Sequence, residues 1–500
     1  MTEPHSKTFM NALKWAYTAN WGERAFSSLF MFILAALVGP RDFGIIALAM
    51  IYISFVQMVQ TQGFQTALVQ RHCLEGEHLD TIFWTNGILA CFALTLSILF
   101  GRWWAALNHV PMLSAYIAVL SICIPLQGMT VVHSALLQRH MDFRGLSLRA
   151  NVSVICGGSV GLLLAWTGKG IWALVFQQIT RDLVALVLLW KLAKWQPRLR
   201  FSTRHLRDLL GFSFSNLAAA LAVFVDGQGG AIVMGALFGP VAVGLYRLAE
   251  RVVSSVSSVA VSSIQAVSLP EFSRLQNDPA ALKRSVRACI RMSAIVTIPA
   301  MAGLIAISTS LMSALGPKWY PASGVLKLLS LLGMFYMFSM FTGPLLQALN
   351  RPNHLAVLEW SRTAVGTVFL VVAAWFVRNS DIQSQIIGLA LVRCLFGIVL
   401  VTPIYFYLLL RLGRLTLRDA VTSIFPSVMS AISILGSAAL LQIPGLLSDM
   451  STAFRLAIQI CVGGFAGIAI LLVFDSTARS YVARFRRSWI RTPLPSKDML

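Results

Sequence analysis

The sequence predicts an all-α polytopic membrane protein of about 14 transmembrane helices, with two pseudo-symmetric six-helix lobes around a central cleft plus a C-terminal helix pair. Three observations predict this class: low charge, long apolar blocks and a motif that occurs twice. Of the 500 residues, 57% are hydrophobic and only 12% are charged, whereas a soluble domain carries about 25% charged residues. The apolar blocks are continuous, and a backbone in lipid must satisfy its own hydrogen bonds, so each block is predicted to be a helix.

The spans follow one another with short connections. In chain order they are predicted near 15–38, 43–68, 80–100, 112–135, 150–167, 170–190, 209–237, 241–268, 288–313, 322–348, 355–376, 384–410, 418–442 and 452–474. The first fifteen residues are mostly polar and contain no signal-peptide cleavage site. We therefore expect the first span to serve as the insertion signal.

The repeated motif divides the spans into two groups. LVGPRDFG at 37–44 recurs as LFGPVAVG at 237–244, and in both copies Gly-Pro ends one helix before a second glycine opens the next. A second echo, LLQ at 136–138, recurs at 345–347. Both echoes fall six spans apart. Because six is even, the two groups enter the membrane in the same orientation and should be related by an axis along the membrane normal.

Domain boundaries follow from this repeat. We expect an N-terminal six-helix lobe at 1–200, a C-terminal six-helix lobe at 201–412, an additional helix pair at 413–476 and a basic cytoplasmic tail at 477–500. Two parallel lobes place a cleft between them near the middle of the membrane, where transporters hold their substrates.

The formal net charge of +21 is distributed unevenly. The two termini and the loops on their side of the membrane hold 27 lysines and arginines, whereas the opposite loops hold 5. This asymmetry predicts that both termini are cytoplasmic and that 239–242 and 443–451 are periplasmic. The basic runs 191–207 and 483–491 are thus topology signals first, with anionic lipid headgroups as a second role. Since no nucleic-acid-binding module accompanies the charge, no nucleic acid partner is expected.

Enzymatic chemistry finds little support in the sequence. It contains neither the GxxxxGK[ST] nor the HExxH pattern, and its one GxSxG match, at 157–161, lies inside a predicted span rather than at a strand-to-helix turn. The 7 cysteines are scattered, which argues against a disulfide framework or a metal site. Because the loops are too short for a catalytic domain, we expect no enzyme activity and no cofactor.

Ionisable residues inside the predicted spans are costly and are therefore functional candidates. Arg247, Glu250 and Arg251 share one helical face at i, i+3 and i+4, and six serines follow them. So polar a helix is predicted to line a water-filled cleft. The alternative is that an Arg–Glu pair locks neighbouring helices together.

Two further stretches carry candidate residues. Within VDGQGG at 225–230 the three glycines weaken a helix by roughly 1 kcal/mol each, so an unwound segment lining a cavity is expected there. Asp226 and Gln228 are candidates for holding a coupling cation or a sugar hydroxyl; alternatively, the stretch is a kink and Asp226 pairs with an arginine. Glu23 and Arg24 are adjacent and therefore point in different directions on a helix. One of them faces the cleft, or it forms an internal pair with another helix.

Eight segments carry a resemblance to a known family. They are LVGPRDFGIIALAMIYISFVQMVQTQGFQTALVQR (37–71), LLQRHMDF (136–143), GIWALVFQQ (170–178), PRLRFS (197–202), GALFGPVAVGLYRLAERV (235–252), LPEFSRLQNDPAALKR (269–284), GPKWYPA (316–322) and LLQALNRPN (345–353). In this order and spacing the chain resembles the Wzx-type polysaccharide-unit flippases, the polysaccharide transporter family of the multidrug/oligosaccharidyl-lipid/polysaccharide exporter superfamily. The resemblance covers roughly residues 10–440.

The resemblance implies a function. It implies movement of an oligosaccharide repeat unit, linked to undecaprenyl pyrophosphate, across the bacterial inner membrane for exopolysaccharide, capsule or O-antigen synthesis. Membrane lipids, a polysaccharide polymerase and an export complex are the implied partners. The rival is a cation-coupled multidrug or small-molecule antiporter of the same superfamily. A scaffold without transport would leave the repeat and the intramembrane charges unexplained.

Charge separates these two transport hypotheses. A pyrophosphate favours arginines, whereas a cationic drug favours isolated carboxylates. The predicted spans hold 8 cationic side chains against 5 carboxylates, which favours the flippase. We predict that Arg24, Arg247 and Arg251 contact the pyrophosphate, and that Glu250 pairs with one of the last two when the site is empty. Asp226, Gln228 and Glu23 remain the candidates for an ion or sugar contact.

Overall fold

The structure is a computed structural model that describes residues 22–61, 64–70, 75–443, 451–475 and 479. These residues form helices joined by short turns, and no β-strand occurs among them. The predicted all-α fold class is therefore confirmed. The beginning of the first predicted span, part of the predicted loop at 443–451 and nearly all of the predicted tail at 477–500 lie outside the described residues.

Eighteen α-helices can be numbered in chain order over the described residues. They are α1 (22–37), α2 (Pro40–Thr61), α3 (Phe64–Gln70), α4 (Gly76–Leu107), α5 (Leu113–Leu120), α6 (Cys123–Gly128), α7 (Val131–Arg139), α8 (Phe143–Trp166), α9 (Ile171–Ala193), α10 (Thr203–Phe238), α11 (Pro240–Arg274), α12 (Pro279–Ala314), α13 (Ala322–Ala348), α14 (Pro352–Val377), α15 (Ile382–Leu395), α16 (Thr402–Leu412), α17 (Leu417–Leu441) and α18 (Thr452–Phe474). A 3₁₀ turn covers Pro317–Trp319, and a π-helical segment covers Phe396–Val401.

Twelve stretches of the described chain are long and apolar enough to cross a membrane, and α5 to α7 together make one of them. The other two predicted spans correspond to α1, of which only 22–37 is described, and to α11. Helix α11 carries the charged and serine residues that were predicted to keep it away from lipid. The chain is thus a multi-pass membrane protein.

The helices group into two compact units. Unit 1 contains the described residues up to Leu248 together with Glu359–Leu389, and unit 2 contains Ala249–Leu358 and the described residues from Ala390 onward. Inside unit 1, α8 packs along α9, and α2 packs on α4, α5, α9 and α10. Inside unit 2, α12 packs on α13, α17 and α18. The predicted lobe boundaries near residues 200 and 412 stay predictions.

The two copies of the Gly-Pro turn contact each other within unit 1. A Cβ atom built on Gly44 would lie 1.6 Å from the Pro240 carbonyl oxygen, and one built on Gly244 would lie 1.9 Å from the Pro40 carbonyl oxygen. The contact is reciprocal, which is the pattern of a two-fold relation. Only glycine at both positions allows the starts of α2 and α11 to cross with their backbones touching.

The second echo has a matching local geometry. In the first copy, the Asp142 amide donates to the Leu137 carbonyl at 2.9 Å, and in the second the Arg351 amide donates to the Leu346 carbonyl at 2.8 Å. The residue before each amide, Met141 or Asn350, has φ of 57°. This hydrogen bond, together with the left-handed residue before it, is the Schellman motif, which ends many α-helices. The repeated LLQ segments therefore precede the same helix-ending motif in both halves of the chain.

The C-terminal helix pair is bonded to α12 through charged groups. Asp475, fully buried just after α18, accepts two hydrogen bonds from the Arg291 guanidinium, at 3.0 and 2.8 Å. Asp419, in the first turn of α17, forms ion pairs with Lys283 at 2.8 Å and Arg287 at 3.3 Å. Both members of the additional pair are thus fixed to the basic first part of α12.

One predicted span contains a π-helical segment. The span predicted at 384–410 corresponds to the apolar stretch Ile382–Leu412, in which α15 passes into the π-helical turn Phe396–Val401 before α16 begins. Pro403, at the start of α16, has no amide hydrogen to donate, so the helical ladder cannot continue regularly there. The Thr402 hydroxyl donates to the Gly397 carbonyl at 2.8 Å and satisfies one acceptor in the turn. Such π-turns frequently occur near functional residues.

Candidate functional site

The predicted arginine of α11 and the predicted glutamine of α10 are brought together. The half-buried Arg247 guanidinium donates a hydrogen bond to the Gln228 side-chain oxygen. Both residues belong to unit 1, and the sequence had named them for separate roles. This contact with a neutral amide oxygen orients the guanidinium.

Glu250 forms an ion pair with an arginine on another helix. Its carboxylate lies 2.8 Å from the guanidinium of Arg393, which stands on α15 just before the π-helical turn, and both side chains are largely buried. The sequence had predicted pairing with Arg247 or Arg251. The Glu250–Arg393 pair bonds α11 to α15 within unit 2, which matches the alternative in which an Arg–Glu pair locks helices. The pairing of Glu250 with Arg247 or Arg251 stays a prediction.

The exposed residue Arg251 begins the serine-rich part of α11. The hydroxyls of Ser254 and Ser255 donate to the Arg251 carbonyl at 3.0 and 2.8 Å, and Ser258 donates to Ser255 in the same way. These serines satisfy their hydrogen bonds on their own helix. Their presence alone therefore does not require a water-filled surface, and the argument for a wet face rests on the charged residues.

Asp226 lies beside an arginine and not in an unwound segment. Helix α10 is continuous over Thr203–Phe238, so the expected break at 225–230 is wrong. A backbone in lipid has no alternative hydrogen-bond partner, and this outweighs the low helix propensity of glycine. The Asp226 carboxylate lies 2.8 Å from Arg362, which also lies 2.8 Å from Glu359. One guanidinium on α14 therefore balances two carboxylates.

Glu23 belongs to a charged cluster in unit 1. It lies 2.6 Å from the Arg181 guanidinium on α9, and each side chain is about one third exposed. Asp182 accepts hydrogen bonds from Gln178 at 3.1 and 3.2 Å. Arg149 on α8 interacts electrostatically with Glu23, Arg181 and Asp182. The internal pair that the sequence left open for Glu23 is the arrangement observed.

Arg149 was missed by the sequence analysis. The fifth span was predicted to begin at 150, which placed Arg149 in a loop, whereas α8 begins at Phe143. The signal for the earlier start was Asp142, whose carboxylate accepts from the Gly145 amide at 2.9 Å as an N-cap. Aspartate followed by helix-forming residues predicts this start, and it places Arg149 two turns inside the helix.

Arg24 differs from its neighbour Glu23. It is half-buried on α1, and within the described part of the chain no side chain or carbonyl is hydrogen-bonded or ion-paired to it. Among the described residues no group of three or more His, Cys, Asp or Glu side chains is placed to hold a metal ion.

The Glu23–Arg181 pair gives a direct test of a structural role. Replacing Glu23 with Gln should lower the free energy of unfolding by about 1–2 kcal/mol, because Arg181 then faces Arg149 without its carboxylate; partial exposure keeps the loss below that of a fully buried pair. The double variant E23Q/R181Q should be more stable than the sum of the two single losses predicts. Thermal unfolding of purified protein measures both.

The control for this pair is another Glu–Arg pair on the surface. Glu271 and Arg274 pair at 3.1 Å three residues apart on one helix, and the Arg274 side chain is 76% exposed, so E271Q should change stability by no more than about 0.5 kcal/mol. A Glu23→Gln variant as stable as E271Q would show that the pair does not hold the helices together. If that stable variant also failed in transport, Glu23 would have its predicted ligand role instead.

The chain matches a known protein family. A family model described as polysaccharide biosynthesis protein matches residues 33–324, more than half of the chain. The chain belongs to the polysaccharide biosynthesis protein family. This membership confirms the resemblance predicted from the eight segments. One relative in this group of proteins is the succinoglycan biosynthesis transport protein ExoT of Rhizobium meliloti (strain 1021), which is 29% identical over 328 residues.

The alignment with ExoT covers 65% of this chain and 66% of ExoT, so the chain spans about two thirds of its relative's length. Among solved structures, the lipid II flippase MurJ in an inward closed conformation matches with a TM-score of 0.72 and 17% identity, covering 95% of this chain and 99% of MurJ. An inward-facing MATE family multidrug transporter matches with a TM-score of 0.55 and 14% identity, covering 80% and 98%. These likenesses show that this polysaccharide biosynthesis protein shares their all-α membrane fold.

Proposed function

We propose that the protein is a flippase that moves a polyprenyl-pyrophosphate-linked oligosaccharide repeat unit across the bacterial inner membrane by alternating access. The observation that carries this proposal is membership of the polysaccharide biosynthesis protein family over residues 33–324, on a chain built as a multi-pass helical membrane protein. Export of the unit would supply exopolysaccharide, capsule or O-antigen synthesis, with a polymerase and an export complex as partners. Both termini are proposed to be cytoplasmic.

The charges of the described spans support an anionic substrate. Glu23, Asp226, Glu250 and Glu359 each lie within ion-pair distance of an arginine. Asp182 interacts with Arg149 and Arg181. Since the intramembrane cations outnumber the carboxylates and Arg149 adds to them, the excess charge is positive. Such an excess attracts a pyrophosphate and repels a cationic drug.

The proposed contacts keep the residues named from the sequence. Arg24, Arg247 and Arg251 would bind the pyrophosphate, with Gln228 orienting Arg247. Glu250 would belong to the same site and would place Arg393, its ion-pair partner, beside the substrate path. Asp226 and Glu23 would contact an ion or sugar only when Arg362 and Arg181 leave them. The tail of the carrier would stay in the bilayer, so only the pyrophosphate and glycan need a polar path.

Reconstitution tests the proposed function. In liposomes that contain the purified protein and a polyprenyl-pyrophosphate oligosaccharide, glycans from the inner leaflet should become accessible to a lectin added outside. In protein-free liposomes only the glycans of the outer leaflet should be accessible. In cells, depletion of the protein should lower surface polymer and leave lipid-linked units on the cytoplasmic leaflet. A lipid that carries the same glycan without the pyrophosphate is the matched substrate control.

The alternative is a cation-coupled multidrug or small-molecule antiporter, since a MATE family multidrug transporter shares the fold. That function predicts that proteoliposomes with an imposed proton or sodium gradient accumulate a cationic dye. Dye transport together with an unchanged distribution of the lipid-linked oligosaccharide would replace the flippase proposal with the antiporter.

A further inference from the structure

The connection between α9 and α10 is a defined structure outside the proposed transport site. We name residues 194–202, which are non-helical, the linker strap. The Arg198 amide donates to the Asp80 carboxylate at 2.9 Å, and its carbonyl accepts from the Trp84 indole at 2.8 Å. The Ser202 amide donates to the Thr81 hydroxyl at 3.1 Å. These bonds fix the backbone of the strap along the first turns of α4.

Tryptophans mark the depth at which the strap lies. Trp195, within the strap, packs edge-on against Phe83 at 5.8 Å between ring centroids, and Trp84 packs against the same ring at 5.5 Å. Trp190, at the end of α9, stacks on His133 at 5.0 Å. Tryptophan clusters at the ends of spanning helices at the boundary between acyl chains and headgroups. The strap therefore runs at the level of the lipid headgroups.

The outer side of the strap combines apolar and basic side chains. Leu199 is 90% exposed and Phe201 is 53% exposed, and they alternate with the exposed residues Arg198 and Arg200. Lys191, Lys194 and Arg204 add charge on either side, and no Asp or Glu occurs between Asp182 and Asp208. Apolar side chains at headgroup depth insert among acyl chains, while arginines next to them reach the phosphates.

We propose that the linker strap is a binding site for anionic phospholipid headgroups. Arg198 and Arg200 bind the lipid phosphates, and Leu199 and Phe201 insert into the acyl boundary beside them. Charge complementarity selects an anionic lipid, because three further cations flank the pair in the sequence, whereas the Asp80 carboxylate is buried and bonded to the strap backbone. The site is independent of the proposed transport function, since none of its residues belongs to the proposed substrate contacts.

A lipid titration tests the site. Phosphatidylglycerol added to the purified protein in neutral detergent should raise the thermal unfolding midpoint, and phosphatidylcholine should not. In R198Q/R200Q the phosphatidylglycerol concentration at half-effect should rise roughly tenfold or more. The hydrogen bonds of the strap use the backbone of Arg198, so this variant keeps its anchoring on α4. R198K/R200K should respond nearly as the unmodified protein, because the charge is kept.

The matched control removes two exposed arginines elsewhere. R414Q/R418Q, near the start of α17, loses the same charge at exposed residues that do not belong to the strap and should keep the response to phosphatidylglycerol. An unchanged response in R198Q/R200Q would overturn the proposal, and so would an equal loss in the control. If R198Q/R200Q is not produced, L199S/F201S keeps the charge and should still weaken the effect of phosphatidylglycerol; an unweakened effect there would also overturn it.

Discussion

Alanine at Gly44 is expected to destabilise the folded protein by about 3 kcal/mol or more, and alanine at Gly244 by a similar amount. The added Cβ atoms would lie 1.6 Å from the Pro240 carbonyl oxygen and 1.9 Å from the Pro40 carbonyl oxygen. The obstacle is backbone in both cases and cannot rotate away, so α2 and α11 must separate. Thermal unfolding of purified protein, with expression level in the membrane, measures the loss.

The same turn offers a matched control. A Cβ atom built on Gly39 meets nothing within 4 Å, so G39A should be neutral within about 0.5 kcal/mol. The double variant G44A/G244A should lose less than the sum of the single variants, because the first alanine already separates the helices and gives room to the second. A Gly44→Ala variant that behaves like G39A would mean that the two turns do not touch as closely as the structure shows.

The doubled turn also shows what could be predicted from the sequence. Repeated letters at 37–44 and 237–244 predicted equivalent turns on one side of the membrane, and the turns do contact each other. The closeness of the contact was not predictable, because the sequence does not indicate which backbone atoms Gly44 and Gly244 contact. Composition and block length likewise predicted the helices, since lipid leaves the backbone few alternatives.

The partners of the charged residues were beyond the sequence. That Glu250 pairs with Arg393 and Asp226 with Arg362 depends on helices that are 143 and 136 residues apart along the chain. Hydrophobic patterning says which residues enter the membrane but not which helices become neighbours. The unwound segment predicted at 225–230 failed for a related reason: propensity is local, whereas the cost of unpaired backbone in lipid acts on the whole helix.

Single replacement of Arg24, Arg247 or Arg251 by Ala is expected to reduce surface polysaccharide by about tenfold to a hundredfold. A hydrogen bond to a charged group contributes about 1.5–3 kcal/mol, and each 1.4 kcal/mol is a factor of about ten. Lipid-linked units should accumulate on the cytoplasmic leaflet, while the variants remain in the membrane at normal levels. Lysine should restore part of the activity, because it keeps the charge but loses the two-pronged geometry of the guanidinium.

Two controls separate transport from folding. Arg378, exposed after α14 and stacked over Trp375 at 3.7 Å, is an arginine outside the proposed site, and R378A should leave polymer production unchanged. Gln228 accepts a hydrogen bond from Arg247, so Q228A should lower transport less than R247A does, because the guanidinium remains present but is less well oriented. Equal and coupled losses of stability in R247A and Q228A would show that this pair is only structural. Normal polymer from well-expressed alanine variants of all three arginines would remove them from the substrate path, and the proposed anion site with them.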